Sequence, residues 1–480
     1  MNIQLTLRIL GALLLFLAAA LLFPIPFALY FHDGAATSFL WSAGISFLVG
    51  LTLFRLCRSE RDLSIREGFA IVSFGWLFYA IFGALPFLLS GAIPSPLDAM
   101  FETMSGFTTT GASILTEVES LPESILLWRS LTQWLGGMGI IVMSLAILPM
   151  LGVGGMQLFK AEVPGPTADR LKPRIQDTAK LLWSVYVLLT VMETILLMFG
   201  GMNLHEALCH SFATLATGGF SSRNASVAAY DSAYIDWVIT LFMLLAGINF
   251  SLHYQALRGR LREVHRNEEF RTFLGITLGA IIVLMIFNFS SVYGSFFENL
   301  RYSAFQAVSI MTTTGFATAD YEVWPVIGQY LLVALMFIGG CAGSTSGGMK
   351  VARILLLFKH AHVQLFRLIH PRAIRLVKLG NIPVDREVMQ AILGFFALFM
   401  GVFVFASFLM AASGMDLVSA GAAVIATLSN IGPGLGSVGP TDNYAHIAPF
   451  GKTVLMFCML LGRLELFTVL VLFFPTFWRK

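Results

Sequence analysis

Four short polar segments, each carrying a glycine, stand between long hydrophobic stretches of this sequence and could bind a cation. The segments are Thr108-Thr109-Thr110-Gly111-Ala112, Ala216-Thr217-Gly218-Gly219-Phe220, Thr312-Thr313-Thr314-Gly315-Phe316 and Ser429-Asn430-Ile431-Gly432-Pro433. Their reference glycines, Gly111, Gly219, Gly315 and Gly432, are 108, 96 and 117 residues apart. A polar loop is costly at membrane depth unless it lines water or binds an ion. Four such loops can close a ring of backbone carbonyls that replaces the water shell of a cation.

Three positions in each segment are candidates for this ring. They are Thr109, Thr110 and Gly111; Thr217, Gly218 and Gly219; Thr313, Thr314 and Gly315; and Asn430, Ile431 and Gly432. Glycine allows a positive φ and puts no side chain in the path. One Thr-Thr-Thr-Gly sequence would be interpreted as a turn after a helix. Four copies, each after an apolar segment too short to cross a bilayer, favour a selectivity filter.

A glycine-rich stretch at 339–348 is the second candidate site. Its sequence is GGCAGSTSGG, and five glycines in ten residues should break a helix at membrane depth. A break there is tolerated only beside protein or a cavity. We interpret it as a loop below the filter, with Gly343, Ser344, Thr345, Ser346, Gly347 and Gly348 as candidate gate residues. Close helix packing through small residues is the alternative, and it is favoured for Gly136-Gly137-Met138-Gly139.

Arg463 lies inside the last hydrophobic stretch, with Glu465 nearby. An ionisable residue there costs roughly 3 kcal/mol on insertion and usually faces the protein interior. Residues i and i+2 do not face each other on a helix, so these two are not a simple local pair. The guanidinium could bond the carbonyls of the glycine-rich loop and form an electrostatic barrier to cations. A structural bond to another span is the alternative.

Composition places the whole chain in the membrane. Of 480 residues, 57% are hydrophobic and 12% are charged, and the mean hydropathy is +0.80. Soluble domains carry about 25% charged residues. There is no Walker sequence and no Gly-x-Gly-x-x-Gly after a strand, which argues against ATP hydrolysis by this chain. No nucleic-acid partner and no bound organic cofactor are expected.

The hydrophobic pattern predicts an all-α polytopic membrane protein with ten spans. Two spans come first, at about 9–31 and 37–55, and four units of span, short re-entrant segment and span follow. The units are 66–91, 97–112 and 125–150; 180–200, 204–220 and 233–256; 272–293, 299–316 and 327–358; and 387–412, 416–433 and 449–475. Most of the 30 Lys and Arg residues fall at the termini and between units. The positive-inside rule therefore puts both termini in the cytoplasm.

The segments predicted to face outward carry mostly acids. They are Asp98, Glu102, Glu117, Glu119, Glu123, Glu206, Asp231, Asp236, Glu298, Asp320, Glu322 and Asp442. An acidic mouth raises the local cation concentration and speeds entry. The alternative for any single residue is an ordinary solvated loop acid.

These motifs together resemble the TrkH family, the membrane subunits of bacterial Trk potassium uptake systems, whose superfamily also holds KtrB and the HKT and Trk transporters of plants and fungi. The matching pieces are the four glycine loops, GGCAGSTSGG, LGRLELFT at 461–468, GGMGIIVMSLAILPMLGVGGMQL and the ending FFPTFWRK. The resemblance covers essentially the whole chain. It implies four membrane–pore-loop–membrane repeats around a central pore, preceded by two extra helices.

The resemblance also implies boundaries, partners and an ion. The two extra helices would occupy 1–60, and the repeats 61–158, 159–257, 258–358 and 359–480, the third with a broken inner helix. The chain would form a homodimer in the lipid bilayer of the bacterial inner membrane. It would work with a TrkA-like cytoplasmic ring that binds nucleotides and controls the gate. The gate would include Lys350 as well as the loop and Arg463.

In HKT-type relatives, a serine at the first reference position accompanies sodium preference. Here that position is Gly111, the potassium-permissive pattern. The fourth loop, Ile431-Gly432-Pro433-Gly434, departs from the threonine-rich form, which predicts only moderate selectivity over sodium.

The leading hypothesis is potassium uptake through a carbonyl-lined filter and an intramembrane gate, with K⁺ as the transported ion and no enzymatic activity. The alternative is a symporter that moves K⁺ with Na⁺ or H⁺. A symporter would need an acid on the pathway, and Glu465 is the clear candidate in the sequence.

Overall fold

The computed structural model describes residues 2–57, 65–146, 171–373, 375–380 and 382–479. Its helices are α1 Ile3–Ala20, α2 Ile25–Phe31, α3 Ala36–Leu56, α4 Ile65–Gly83, α5 Leu85–Leu89, α6 Pro96–Phe107, α7 Glu123–Ala146, α8 Leu171–Phe199, α9 Leu204–Leu215, α10 Ala233–Ala246, α11 Phe250–Leu257, α12 Leu261–Arg266, α13 Glu268–Asn288, α14 Phe296–Met311, α15 Val326–Met336, α16 Val351–Ile369, α17 Arg386–Ala412, α18 Leu417–Leu428, α19 Pro449–Arg463, α20 Leu466–Leu470 and α21 Pro475–Trp478. A hairpin of β1 Lys378–Leu379 and β2 Ile382–Pro383 pairs antiparallel. Short 3₁₀ turns occupy Ser226–Tyr230, Tyr321–Val323, Gly436–Val438 and Val471–Phe473.

The first three helices form the N-terminal pair of spans. Helices α1 and α3 pack closely because Gly11 and Gly50 face each other. A methyl group on Gly11 would lie 2.7 Å from the Gly50 carbonyl oxygen, and one on Gly50 would lie 2.9 Å from the Gly11 oxygen. Small residues allow this approach within a bilayer, where packing rather than the hydrophobic effect associates helices.

Four repeats follow, and each places one short helix between two longer elements. The short helices α6, α9 and α18 have 12 residues and α14 has 16. At 1.5 Å per residue a 12-residue helix is about 18 Å long, well short of the bilayer core of about 30 Å. These helices are buried along most of their length, whereas the outer spans expose large apolar side chains such as Trp41, Ile286 and Phe405. The core therefore surrounds the short helices, and the outer surface suits lipid.

The spans agree with the predicted architecture. Within the described residues, six helices or helix pairs are long and apolar enough to cross a membrane: Ile3–Phe31, Ala36–Leu56, Arg66–Leu89, Ala179–Phe199, Glu268–Asn288 and Arg386–Ala412. Two more candidates are bent pairs. Helix α7 and the interrupted pair α15–α16 take the corresponding places in the first and third repeats.

The second spans of the second and fourth repeats are bent, which the sequence analysis did not predict. Helices α10 and α11 meet at 102°, and α19 meets the segment Leu466–Phe473 at 117°. Asn249 caps α11 by accepting from the Ser251 amide at 2.8 Å. Glu465, at the other bend, has a φ of +56°, which ends a right-handed helix. The continuous spans predicted at 233–256 and 449–475 are therefore wrong in this respect, since local caps and backbone turns outweigh the apolar pattern.

The two ends of the described chain lie on one side of the molecule. The Asn2 amide donates to Glu67 at 2.6 Å, and the neighbouring Arg66 donates to the Arg479 carbonyl at 2.8 Å. This placement agrees with an even number of spans. The predicted boundaries at 60–61 and 158–159 lie outside the described residues, as does the end of the predicted span 125–150.

Candidate functional site

Each of the four short helices ends in the same hydrogen-bonded cap. In the first repeat, the Thr109 amide donates to the Gly106 carbonyl at 2.9 Å, and the Thr110 amide donates to the Ser105 carbonyl at 2.8 Å. This pair of bonds is the Schellman motif. The equivalent pairs are Thr217 to Thr214 with Gly218 to Ala213, Thr313 to Ile310 with Thr314 to Ser309, and Asn430 to Thr427 with Ile431 to Ala426. The four loops that contain the predicted ring residues therefore have the same backbone hydrogen-bonding pattern.

Two positions in each loop have left-handed backbone. The reference glycines have φ of +83°, +77°, +85° and +97°. The residues two positions earlier, Thr109, Thr217, Thr313 and Asn430, have φ of +50°, +52°, +58° and +55°. A β-branched residue there is a steric outlier that costs about 1–3 kcal/mol. The sequence analysis expected positive φ at the glycines and missed it at the threonines.

The reference glycines contact one another's loops in cyclic order. In each repeat, a methyl group on the reference glycine would meet the carbonyl oxygen of the residue just before the next reference glycine. The pairs are Gly111 with Gly218, Gly219 with Thr314, Gly315 with Ile431, and Gly432 with Thr110. The fourth contact returns to the first loop, so the four segments form a closed ring.

A cavity of about 150 Å³ opens directly above this ring. All four reference glycines line it, together with Ser113, Ser221, Arg129, Arg223 and Asp442 among others. One cavity that touches all four loops indicates that the repeats share a single axis.

A buried ion pair joins the first and second loops behind the ring. Arg129 contacts Glu102 at 2.8 Å, and the two side chains are 2% and 0% exposed. Arg129 also donates to the Ser221 carbonyl at 3.1 Å, and Glu102 accepts from the Ile114 amide at 3.0 Å. The arginine also lies 4.1 Å from the centre of the Phe220 ring, in cation–π geometry. Arg129 was not identified in the sequence analysis, because a single charge within a predicted span has no distinctive spacing.

Further side chains hold the backbone of the ring from outside. Gln133 donates to the Gly218 carbonyl at 2.6 Å and accepts from the Phe220 amide at 3.1 Å. Tyr444 donates to the Gly432 carbonyl at 2.6 Å. The Gly218 and Gly432 carbonyls therefore have protein partners. The spacing of residues along the sequence could not identify Gln133 or Tyr444, because single polar residues of these types occur in many loops and spans.

The outer loops are also linked from repeat to repeat. The links are Val118 to Asn224 at 2.7 Å, Ala228 to Ala317 at 3.1 Å, Gly436 to Glu322 at 2.5 Å, and Tyr444 to Ser113 at 2.8 Å. In each link a backbone amide is the donor. Burial raises the pKa of Glu322 above its ordinary value, although the Gly436 amide opposes this shift. These bonds close a second ring outside the first.

Many of the predicted outward acids have structural partners. Asp98 pairs with Lys452 at 2.6 Å, and Glu206 pairs with Arg223 at 2.5 Å. The Glu206 carboxylate raises the pKa of Arg223. Of the acids named in the sequence analysis, Asp442 lines the cavity above the ring.

The glycine-rich loop lies directly against the ends of three short helices. The Gly347 amide donates to the Thr313 hydroxyl at 2.6 Å, and a methyl group on Gly347 would overlap the Ser429 carbonyl oxygen. The Thr345 hydroxyl donates to the Leu215 carbonyl at 2.9 Å. The predicted break at 339–348 lies within the interruption between α15, which ends at Met336, and α16, which begins at Val351. The residues that line the cavity do not include the loop.

Arg463 contacts the glycine-rich loop and another span together. Its Nη1 donates to the Thr345 carbonyl at 2.6 Å, and its Nη2 donates to the Gly136 carbonyl in α7 at 3.3 Å. The side chain is 3% exposed. The bond to Thr345 supports the interpretation of Arg463 as a partner of the glycine-rich loop. The bond to Gly136 supports the alternative, a structural bond to another span. Lys350, at the end of the loop, donates to the Ser346 carbonyl and has a φ of +65°.

Glu465 and Arg463 do not pair, as expected from their spacing. Glu465 instead contacts Arg353 at 2.7 Å, and Arg353 lies 4.3 Å from the centre of the Phe395 ring. Gly136 and Gly137 lie where close packing requires glycine, since a methyl group on Gly137 would come 2.9 Å from the Ala216 Cα. The described residues contain no cluster of three His, Cys, Asp or Glu that could hold a metal ion.

The fold and the ring together define a pore-forming membrane protein built from four repeats. The TrkH family, described as a cation transport protein, matches residues 38–480. The chain belongs to the TrkH family, and it is a transport protein rather than an enzyme.

Characterised relatives match over the full length. The chain is 46% identical over 478 residues to the Trk system potassium uptake protein TrkH of Salmonella typhimurium, covering 98% of this chain and 99% of the relative. It is 45% identical to the protein of the same name from Escherichia coli K12, with the same coverage. The crystal structure of the potassium transporter TrkH from Vibrio parahaemolyticus superposes with a TM-score of 0.92 at 39% identity, covering 100% of both chains. These matches confirm the predicted family and the four-repeat architecture.

Proposed function

We propose that this chain takes up potassium ions across the bacterial inner membrane. Its relatives are named potassium uptake proteins, which supports the choice of ion. K⁺ enters the cavity lined by the four reference glycines and sheds water at the ring. It then passes the glycine-rich loop toward the cytoplasm. The observation that carries this proposal is the cyclic contact of the four loops, because a cation without its water needs ligands on all sides.

The loop 343–348 is the gate in this proposal. It lies next to the ring, held by Thr313 on one side and by Arg463 on another. A guanidinium beside a dehydrated cation repels it strongly, because the local dielectric constant is low. Opening therefore requires movement of the loop and a change in the contact between Arg463 and Thr345.

The wider assembly follows from the same proposal. The chain works as a homodimer with both termini in the cytoplasm. A TrkA-like ring that binds nucleotides docks there and controls the loop. The shared side of the two termini and the excess of Lys and Arg between units support this orientation.

An ion-coupled symporter is the second candidate, and one observation favours it. Glu193 in α8 is 0% exposed, and both carboxylate oxygens lack a hydrogen-bond partner among the described residues. Such a group is most stable as a neutral acid, because burial of an unpaired charge is costly. Glu465 has the ion pair with Arg353, so Glu193 is the better candidate for a coupled proton.

The test is flux in sealed vesicles that hold only the purified chain. A K⁺ gradient is imposed with and without Na⁺ and a pH gradient, and Rb⁺ entry is followed. Downhill entry that needs no second ion supports a gated channel. Entry only with a proton gradient supports the symporter, and Glu193→Gln should then abolish the coupling. Absence of any K⁺ or Rb⁺ entry under all conditions, with folded protein, would contradict both.

A further inference from the structure

Two adjacent acids at the start of α13, Glu268 and Glu269, have no role in the pathway described above. Asn267 caps this helix by accepting from the Phe270 amide at 2.9 Å, so both acids stand in its first turn. The free backbone amides at the N-terminus of a helix stabilise negative charge there. The two carboxylates contact different parts of the molecule.

Glu269 holds both ends of the glycine-rich loop with a single oxygen atom. Its Oε1 accepts from the Ala342 amide at 2.7 Å and from the Ala352 amide at 3.1 Å. Ala342 precedes the loop 343–348, and Ala352 lies in the first turn of α16, just after it. Glu269 is 4% exposed, so these bonds are shielded from water. One buried oxygen atom therefore bridges the two ends of the loop, beside the direct bond from the Val351 amide to the Gly340 carbonyl at 3.0 Å.

Glu268 contacts the cytoplasmic hairpin instead. Its Oε1 accepts from Lys359 at 2.5 Å, and its Oε2 accepts from the Gly380 amide at 2.6 Å, between β1 and β2. Lys359 also donates to the Lys378 carbonyl at 2.8 Å. The same helix turn thus bonds the hairpin through one residue and the loop through the next.

We propose that Glu269 is the positioning residue that keeps the loop 343–348 closed, and that Glu268 transmits displacement of the hairpin 378–383 to it. This inference rests on the proposed gate. The partner that would act on this contact is a protein whose surface pulls the hairpin 378–383 away from Glu268. When the first turn of α13 moves, the bonds to Ala342 and Ala352 lengthen and the ends of the loop separate.

The test measures the loop and the flux separately. The four native cysteines are replaced, and a cysteine is placed at Ser344 as a reporter. The rate of its reaction with a thiol reagent reports loop exposure, and Rb⁺ entry into vesicles reports conduction. We expect Glu269→Ala to speed labelling by about tenfold, because two hydrogen bonds to a buried carboxyl oxygen are lost. We expect partner-free Rb⁺ entry to rise in parallel, with the K⁺/Na⁺ ratio unchanged.

Three further variants keep the proposal testable if Glu269→Ala fails to fold. Glu269→Gln retains an oxygen that can accept both bonds. Its labelling rate should therefore lie between those of the wild type and Glu269→Ala. Ala352→Pro removes one of the two donors at a position in the first turn, where proline is tolerated. Ala352→Pro should also speed labelling. The double variant with Glu269→Ala should label little faster than Glu269→Ala alone, because the two changes break a shared contact. Glu263→Ala is the matched control, since Glu263 is 54% exposed and contacts Arg260 at 3.9 Å.

The bonds of Glu269 to Ala342 and Ala352 are called the clamp here, and each outcome of the test distinguishes the clamp from the proposed gate. Wild-type labelling in folded Glu269→Gln and Ala352→Pro would overturn the clamp, even if Arg463→Ala raises flux and so upholds the gate. Faster labelling of Glu269→Ala without any rise in Rb⁺ entry would support the clamp and contradict the proposal that the loop is the gate. Glu268→Ala should speed labelling less than Glu269→Ala, and a rate equal to that of Glu263→Ala would overturn the link to the hairpin.

Discussion

At the scale of single residues, strain is concentrated beside the four reference glycines. A Schellman cap normally has glycine at its left-handed position, yet this chain has three threonines and an asparagine there. Two of these side chains contact other segments of the chain, which glycine could not do. Thr313 accepts from Gly347, and Asn430 donates to the Thr110 hydroxyl at 2.9 Å and to the Met459 carbonyl at 3.0 Å. The ring and the loop beside it are therefore held by the same strained residues.

Gly111→Ser should shift ion preference toward sodium. Its side chain would overlap the Gly218 carbonyl, which Gln133 holds from outside, and Gly111 has a φ of +83°. We expect the K⁺/Na⁺ flux ratio in vesicles to fall about tenfold, equivalent to about 1.4 kcal/mol. Gly279→Ser is the matched control, because nothing lies within 4 Å of a methyl group at Gly279. An unchanged ratio in Gly111→Ser would remove the first loop from the filter.

Arg129→Gln should destabilise the folded protein strongly. It leaves Glu102 buried without its cation, and breaking a buried pair costs about 3–5 kcal/mol. Thermal unfolding in detergent measures this, with the exposed Arg260→Gln as the control. The double variant Arg129→Gln with Glu102→Gln should recover part of the loss, since no buried charge then remains unpaired. Equal melting temperatures for Arg129→Gln and Arg260→Gln would show that the pair contributes little.

At the scale of elements, breaks in the second spans determine what lies next to the ring. In the part of the chain that the structure describes, three of the four second spans are bent or interrupted, and the glycine-rich loop is the longest of these breaks. Broken helices at membrane depth are tolerated where protein or water satisfies the freed backbone groups. Here the Cys341 amide donates to the Gly247 carbonyl at 2.9 Å, so the break in the second repeat supports the loop of the third.

Arg463→Ala should raise Rb⁺ entry in the absence of a partner. The variant loses the bond to Thr345 and removes a positive charge from the proposed pathway. Shortening 343–348 should have the same effect, because the loop no longer reaches the ring. Arg463→Lys keeps the charge but cannot bond two carbonyls in the same planar geometry, so it should give an intermediate rate. Loss of folded protein without any rise in flux would support a purely structural role for Arg463.

Thr313→Val should loosen the contact between the ring and the glycine-rich loop. Valine keeps the branched shape but leaves the Gly347 amide without its acceptor, which costs about 1–3 kcal/mol. We expect higher partner-free flux and faster labelling of a cysteine at Ser344. Thr217→Val is the control at the equivalent position, because the Thr217 hydroxyl donates only to the adjacent Ala216 carbonyl at 2.7 Å among the bonds of the described residues. Equal effects of the two variants would contradict this coupling.

At the scale of the whole molecule, two closed rings of contacts join the four repeats. The inner ring is the cyclic contact of the reference glycines, and the outer ring is the set of bonds between the loops above them. Each ring spans all four repeats, so displacement of one repeat strains its neighbours. The pore is therefore a property of the assembled repeats and not of any one.

Both termini should face the cytoplasm. The contacts from Asn2 to Glu67 and from Arg66 to Arg479 put them on one side. In a background without native cysteines, a cysteine at Arg479 should react with an impermeant reagent only in inside-out vesicles. A cysteine at Asp442, which lines the outer cavity, should react only in right-side-out vesicles. The reverse pattern would contradict the positive-inside assignment.

The sequence by itself determined the class of protein and the number of repeats. Long apolar stretches, four spaced polar loops and one glycine-rich break are local signals, because each depends on neighbouring residues along the chain. Those signals correctly predicted the four-repeat architecture and a break at 339–348, which lies within the observed interruption between Met336 and Val351. They were wrong for the continuous spans at 233–256 and 449–475, where Asn249 and Glu465 mark bends.

Only the tertiary structure decided which side chains hold the ring and the loop. Arg129, Gln133 and Glu269 bond backbone far away in the sequence, and the Asn430 side chain reaches Thr110 across 320 residues. Buried polar groups must find partners, but the partner is chosen by which repeats meet in space. For that reason the spacing of glycines predicts where a cation could bind, whereas the residues that position those glycines emerge only when the four repeats close around one axis.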